Sequence, residues 1–572
     1  MKKEPIRVEH CLYGLAFLIA LIIRFWHLGV LPLSDSEASL ALRALNLANG
    51  FPESLSAEAL YGLVTGALMA LFSGSNLIAR FLPAFIGSLL IIAPAMYRNT
   101  LGKTTAIILA FWLAFEPGLV AISREANSTI LAISFAVLTG GFYVLRKPTW
   151  AGVGLALFLL SGPDVWHGLI LFGLIAAFRF AFLAGLDKHA EFPQQLEELK
   201  PPFNWRKVWI MAALTIIVIG TLLFTIPKGI SAAALSLPVY ISGWAVVPQF
   251  NVSIGLLGLG LTALPGLILA IWQFIVGWNK HHQLDKLLGV SWAFAVILAV
   301  FYPGRTMAHF AWSLLPMAAL ASRRLDGLWR KFGHVNPPDL IQAITTIAGG
   351  IFLWLSLLNL SLQPINLADD IARLKLAVFV VGLILWLLIT ILISWGWDAR
   401  AAVRGNQLGL GVLLSMFLIA TSWRASGNGT HPDAEIWRTT SPQNEPVLLA
   451  LVESAGEWTT GNNHSLPLTV VVDSSLSLKW ALRDQNAVQY ALGVNADSQQ
   501  VAILTDLDAE PILKSSYRGE DIIWLSEPDW QAMTGRDWLR WVAFRDVPLK
   551  VTQTYIFWLR SDAFPQPGGF KD

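Results

Sequence analysis

Cysteine is almost missing: Cys11 is the only one in 572 residues. A single thiol excludes a disulfide framework and a thiolate-held metal cluster. Charge is scarce too. Asp, Glu, Lys and Arg together make 14% of the chain, against roughly 25% in an average soluble domain. That shortage excludes a soluble enzyme, a disordered protein and a nucleic-acid binder held by charge. From Asn428 onward a glycine-rich phosphate loop and catalytic-triad spacing are also lacking. What the chain has is apolar residues, 55% of the total, so most of it demands a lipid solvent.

The few charges are unevenly spread. From Asn428 to Asp572 there are 11 Lys and Arg against 19 Asp and Glu; the preceding 427 residues hold 29 against 19. Residues 428–572 therefore read as a separate, soluble, acidic unit. Residues 1–427 read as a hydrophobic body with basic loops, in which each acid needs a reason.

A membrane span takes about 20 mostly apolar residues. Suitable runs lie at 11–31, 79–97, 104–122, 129–145, 149–162, 166–183, 208–226, 254–277, 286–301, 307–322, 340–362, 374–397 and 407–424. The run 149–162 is short and reads equally as a half-span. Leu60–Phe72 has the length of an interfacial or re-entrant helix. Cytoplasmic loops collect Lys and Arg, and this rule decides the parity. Lys2, Lys3 and Arg7 put the N-terminus inside. If Leu60–Phe72 does not cross, then Arg98, Lys103, Arg146, Lys147, Lys188, Lys200, Arg206, Lys207, Lys280, Lys286, Arg323, Arg324, Arg330, Lys331, Arg400 and Arg404 all fall inside as well. The expected fold is a polytopic α-helical membrane protein of about 13 spans, N-terminus in and C-terminus out, with a C-terminal soluble α/β domain. Short loops and the lone cysteine fit a bacterial plasma membrane.

The same parity gathers a set of polar residues on the outer side. The first outer loop, 32–78, carries Asp35 and Glu37 at the start of a helix, where acids also serve the N-terminus. The second holds Arg124 and Glu125, readable as an interfacial ion pair. The third holds Asp164 and His167, the former a natural helix cap. Lys228 lies in the next. Arg305 and His309 stand at the mouth of a late span, and Arg can grip a phosphate bidentately. Carboxylates and a phosphate-binding cation over a hydrophobic body suggest chemistry on a lipid-linked substrate.

Several stretches resemble a known family. They are Arg24-Phe-Trp-His-Leu-Gly29, Ser36-Glu-Ala followed by Asn46-Leu-Ala-Asn-Gly50, the run Asn76 to Gly87, Ser123-Arg-Glu-Ala126, and Arg305 to Pro316. In order and spacing they resemble the GT-C membrane glycosyltransferases, nearest the protein-O-mannosyltransferase and lipid A aminoarabinose-transferase branches. The likeness covers roughly residues 10–325. It implies transfer of a sugar from a polyprenyl-phosphate carrier to a protein, lipid or glycan acceptor on the outer face, with inversion at the anomeric carbon. It implies an Asp-Glu pair in the first loop, the Asp as base, and a further acid in the second. Some members hold a divalent metal; Glu37 and Glu125 would be its ligands here. Aligned on Glu-Ala, the family Asp falls on Ser36, and Asp35 stands one residue early, a rotation of about 100° on a helix. The base is then Glu37 or Asp35, with Glu125 orienting the acceptor. Arg305, with Lys228 or Arg124, would meet the leaving phosphate; His309, Asp164 and His167 are second-rank candidates.

Two other functions compete. A flippase or transporter of lipid-linked sugar would use the same cavity without a base, which suits Ser36; but such proteins place ionisable groups at mid-membrane, whereas Arg24 and Glu116 fall near span ends. An inactive scaffold is the other. In the tail, Thr469–Asp473, Val501–Thr505, Asp521–Leu525 and Tyr555–Leu559 read as strands, Leu476–Asp484 and Asp529–Phe544 as helices. Asp473 ends a strand, as a turn residue or a ligand.

Overall fold

A computed structural model describes residues 8–563 apart from 52–54, 184–202, 249, 331–335, 363–368, 429–433, 473–474, 494–499 and 509–514. Lys2, Lys3, Arg7, Lys188, Lys200, Lys331 and Asp473 lie outside the described residues.

Among the described residues, seven helices are long and apolar enough to cross a membrane: Val8–Phe25, Asn76–Met96, Asp164–Phe182, Gln283–Phe301, Pro337–Ser361, Asp370–Gly396 and Ala399–Gly427. The count reaches nine when two bent pairs are each taken as one span. The difference from thirteen has two physical sources. Several runs make helices of modest length: Thr129–Val144 has 16 residues, Pro148–Leu160 has 13 and Trp205–Gly220 has 16. Others are broken by proline, which lacks an N–H and disfavours helix in the residue before it. The run 104–122 becomes Lys103–Phe115 and Pro117–Ser123, bent by 54°; the run 254–277 becomes Val252–Thr262 and Leu264–Asn279, bent by 87°. Pro117 and Pro265 open the second member of each pair. Glu116, expected near a span end, therefore sits at a bend, buried, with its Oε2 accepting from Trp112 Nε1 at 2.8 Å.

Four early helices position the site: α1 (Val8–Phe25), α2 (Asp35–Ala48), α3 (Ala59–Phe72) and α4 (Asn76–Leu89). α3 has 14 residues, most of them buried, and packs against α2. α4 approaches the Pro117–Ser123 helix through Gly87, where a Cβ would stand 2.6 Å from that of Ser123.

The C-terminal part has a five-stranded sheet of β1 (Leu468–Val471), β2 (Val488–Tyr490), β3 (Ala502–Asp506), β4 (Tyr517–Pro528) and β5 (Leu549–Arg560), in the order β2-β1-β3-β5-β4. β1 pairs in parallel with β2 and β3, and β5 runs antiparallel to β3 and β4. Alternating side chains of β1, β3, β4 and β5 close a core with the Glu445–Thr460 helix. The tryptophan-rich helix spans Gly535–Phe544, beginning later than Asp529 because Thr534 and Asp537 form a capping box there.

This part is bound to the helical body. Trp480 is fully buried among Leu33, Ala38, Ala41, Ala44, Met69 and Ala79, and its Nε1 donates to Asn76 Oδ1 at 2.7 Å. Arg483 Nε donates to Gly74 O at 3.2 Å. Ala434, Ile436, Trp437, Trp541 and Val542 join the main core of the body itself.

Candidate active site

Glu37 stands at the third position of α2, where Ser34 makes a capping box with it. Its Oε1 accepts from Arg80 Nε at 2.7 Å and from Ala126 N–H at 2.9 Å. Its Oε2 accepts from Arg80 Nη2 at 2.7 Å, Ser34 N–H at 3.1 Å and the Ser34 hydroxyl at 3.3 Å. Five donors fill the carboxylate. Arg80 is equally engaged, donating also to the carbonyls of Leu28 (3.3 Å), Leu31 (2.7 Å) and Pro32 (2.8 Å). Burial pulls the Glu37 carboxyl up, but Arg80, with smaller help from Arg438 and the Ala126 N–H, holds it below its ordinary value.

The loop between the Pro117–Ser123 and Thr129–Val144 helices ties four elements together. Arg124 Nη1 caps α1 by donating to Ile23 O at 2.9 Å and Arg24 O at 2.8 Å. Ala126 reaches Glu37, and the Thr129 hydroxyl donates to Asp164 Oδ2. Glu125 is buried, and among the described residues its side chain is hydrogen-bonded by Thr439 alone: the Thr439 N–H donates to Oε1 at 2.6 Å and the Thr439 hydroxyl to the same oxygen at 3.2 Å. Among the described residues nothing donates to its Oε2. Burial, then the nearby Glu37 charge, pushes the Glu125 carboxyl up to about 7 against the opposing pull of Arg438, the Thr439 N–H and Arg80.

Thr439 and Arg438 belong to a strap, 434–439, that the C-terminal part lays across the body. Trp437 Nε1 donates to Thr262 Oγ1 at 2.9 Å. The Trp437 ring rests where a Cβ on Gly118 would come within 2.9 Å, and Ile436 fills the space over Gly258. Trp541 Nε1 holds Ala434 O at 2.7 Å. Arg438 Nε and Nη1 are buried without a hydrogen-bond partner among the described residues. Arg438 feels the charges of Arg80, Glu125, Glu37 and Glu435. Burial and the Arg80 charge lower its pKa from the ordinary arginine value.

A second cluster adjoins through Thr129. Asp164 Oδ1 lies 3.2 Å from His309 Nε2. His309 Nδ1 accepts the Thr306 N–H at 3.0 Å, so its proton sits on Nε2 facing Asp164. The His167 ring is 5.0 Å from that of His309, its Nδ1 3.4 Å from the Tyr240 hydroxyl. His167 Nε2 is buried without a partner among the described residues.

The remaining sequence candidates stand apart. Asp35 turns to the C-terminal part: its Oδ1 accepts from Ser477 N–H at 2.7 Å and the Ser475 hydroxyl at 3.3 Å, capping the Leu476–Ala481 helix. Ser36 is exposed, and its hydroxyl donates to Thr439 Oγ1 at 3.3 Å. Arg305 gives its Nε to the carbonyl of Phe250 (3.1 Å) and its Nη1 to those of Val300 and Tyr302 (3.3 Å each). Lys228 opens the Lys228–Ala234 helix, which packs against α3.

A metal does not fit the expected pair. Glu37 would have to surrender its bonds to Arg80, and among the described residues no group of three or more His, Cys, Asp or Glu side chains gathers as metal ligands would. Sequence reasoning missed Arg80, Arg438 and Thr439. A signal existed only for Arg80, a lone cation in an otherwise apolar run.

No family model matches the chain, and no curated protein matches its sequence. Solved structures do resemble it. ArnT from Cupriavidus metallidurans bound to undecaprenyl phosphate superposes with a TM-score of 0.53 at 13% identity, over 97% of this chain and 99% of that one. The same protein in its apo state gives 0.50 at 14% identity, over 86% and 93%. The oligosaccharyltransferase of Archaeoglobus fulgidus gives 0.43 at 13% identity, over 84% and 64%. The likeness is one of fold.

Proposed function

We propose that the chain transfers a sugar from a polyprenyl-phosphate carrier to a hydroxyl of a protein, lipid or glycan acceptor at the outer face of a bacterial plasma membrane. The fold supports the class of reaction. The observation that carries the chemistry is Glu125: a buried carboxylate with one oxygen held by Thr439, the other without a donor among the described residues, and a pKa raised to about 7. A general base works best when its pKa lies near the working pH.

In this reading Glu125 Oε2 takes the acceptor proton. The acceptor oxygen attacks the anomeric carbon from the side opposite the phosphate, forming the new glycosidic bond. The bond from that carbon to the phosphate oxygen breaks, and the polyprenyl phosphate leaves with the electron pair, so the centre inverts. Arg438, whose buried N–H groups lack partners among the described residues, offers donors to the charge growing on the phosphate. Arg80 and Arg124 add positive potential without giving up their own bonds. Glu37 serves as the counter-ion that fixes Arg80 and the loop at 28–32, and no step is routed through a metal.

The test uses purified protein in nanodiscs with a polyprenyl phosphate carrying a tritiated sugar and a mixed pool of acceptors. Glu125→Gln should lose about 100-fold or more in turnover. Undiminished turnover in that variant would remove Glu125 from the role of base. Redistribution of intact donor between leaflets without bond cleavage would make the protein a flippase and overturn the proposal.

A further inference from the structure

Glu125 is a residue of the helical body, yet among the described residues its hydrogen bonds come from the C-terminal part alone, through Thr439. Resting on the reading of Glu125 as base, we infer that Thr439 is the positioning residue of that base, and that the C-terminal part completes the active site instead of merely covering it.

The geometry is directional. Thr439 gives both its N–H and its hydroxyl to Oε1. This pins one oxygen and leaves Oε2 for the acceptor. A carboxylate held at one oxygen cannot rotate about its terminal torsion, which is otherwise broad. Orientation of this kind is what turns a nearby base into an effective one. Thr439 itself is exposed, so its hydroxyl is not there to fill a core. Its oxygen lies 2.7 Å from Ser34 Oγ and 3.3 Å from Ser36 Oγ, which tether it to the start of α2.

The register of the strap is independently fixed. Trp541 holds Ala434, Ile436 sits over Gly258 and Trp437 is bonded to Thr262. Two residues beyond Trp437 the chain arrives at Glu125. The anchors lie on helices far apart in sequence, so a strap that only shielded the body would have no need to end with two donors on one carboxylate oxygen.

The charged groups that act on Glu125 are Glu37 from α2, Arg80 from α4 and Arg438 from the strap, with Arg124 beside it in the chain. Thr439→Val keeps the backbone donor, removes the hydroxyl and leaves all four charges in place. Losing one hydrogen bond to the ionised form should raise the acid limb of the kcat profile by about one pH unit. It should lower kcat at neutral pH about tenfold, with the donor KM unchanged. Thr439→Ser should restore both. The carboxyl signal of Glu125, read from infrared difference spectra of wild type minus Glu125→Gln, should titrate correspondingly higher in Thr439→Val, with no substrate needed. An unshifted titration in Thr439→Val, or an unchanged kcat profile in it while Glu125→Gln is inactive, would overturn the inference. Full activity in Glu125→Gln would instead defeat the assignment of the base.

Discussion

Glu37 and Glu125 are joined by a single residue: the N–H of Ala126, next to Glu125, donates to Glu37. Both carboxylates are buried, and both lie within reach of the Arg80 and Arg438 charges. Glu37 has five donors, two of them from the bidentate Arg80 guanidinium; Glu125 has two donors on one oxygen, both from one residue. The first is held below the ordinary carboxylate range and the second is pushed up to about 7. Placing an acid near a cation is thus not enough to make it a base. A carboxylate whose bonds are all satisfied is a structural strut, and one left half-satisfied is available for proton transfer.

The comparison breaks most visibly in stability. Glu37→Gln strands Arg80 as a buried, unbalanced charge and should cost about 3–5 kcal/mol, read as a large fall in the thermal unfolding midpoint in detergent. The double variant Glu37→Gln/Arg80→Met should recover part of that loss. An unchanged midpoint in Glu37→Gln would mean the pair is not the strut described.

Glu125→Gln should behave in the opposite sense. The folded-state pKa of Glu125 lies above its ordinary value of 4.5, at about 7. The folded state therefore holds the proton more tightly, and this group's contribution to stability falls as pH rises from about 4.5 to 7. Unfolding midpoints across that window should decline more steeply in wild type than in Glu125→Gln. Parallel profiles would deny Glu125 its raised proton affinity.

Asp35 provides the smallest effect. Removing its capping charge from the Leu476–Ala481 helix with Asp35→Ala should cost about 1 kcal/mol. Hydrogen exchange at Ser477 and its neighbours should speed roughly fivefold, while turnover is preserved. A large loss of turnover would put Asp35 in the chemistry and blur its distinction from Glu125.

Much of the fold was legible because hydrophobic run length and helix length report the same physics, as the expected and observed bounds of 374–397 and Asp370–Gly396 illustrate. Pro117 and Pro265 were in plain view, but how far a chain turns at a proline depends on what packs around the joint. The candidate site was legible in part. The alternation of spans and basic loops gathered Glu37, Glu125, Asp164, His167 and Arg305, with His309 beside the last; of these, Arg305 turns to backbone carbonyls instead. Arg80 was hidden by its setting inside an apolar run. Arg438 and Thr439 were hidden by distance: they meet α2 and the 124–129 loop across more than 300 residues of sequence, and no periodicity or local motif encodes such a meeting. The rotation argument set Asp35 apart from position 36 but left Asp35 and Glu37 as alternatives for the base; in the structure their carboxylates point to different partners.

The strap also bears on how the molecule is made. Trp437 lodges against Gly118 and Thr262, yet it is synthesised after every one of the candidate crossing helices. A nascent chain still lacking residues beyond 428 carries Glu125 with none of the donors that hold it in the finished molecule. Competence therefore arrives late, in one stroke, once the last quarter of the polypeptide has folded back onto the first, and truncated translation products would accumulate in the bilayer inert.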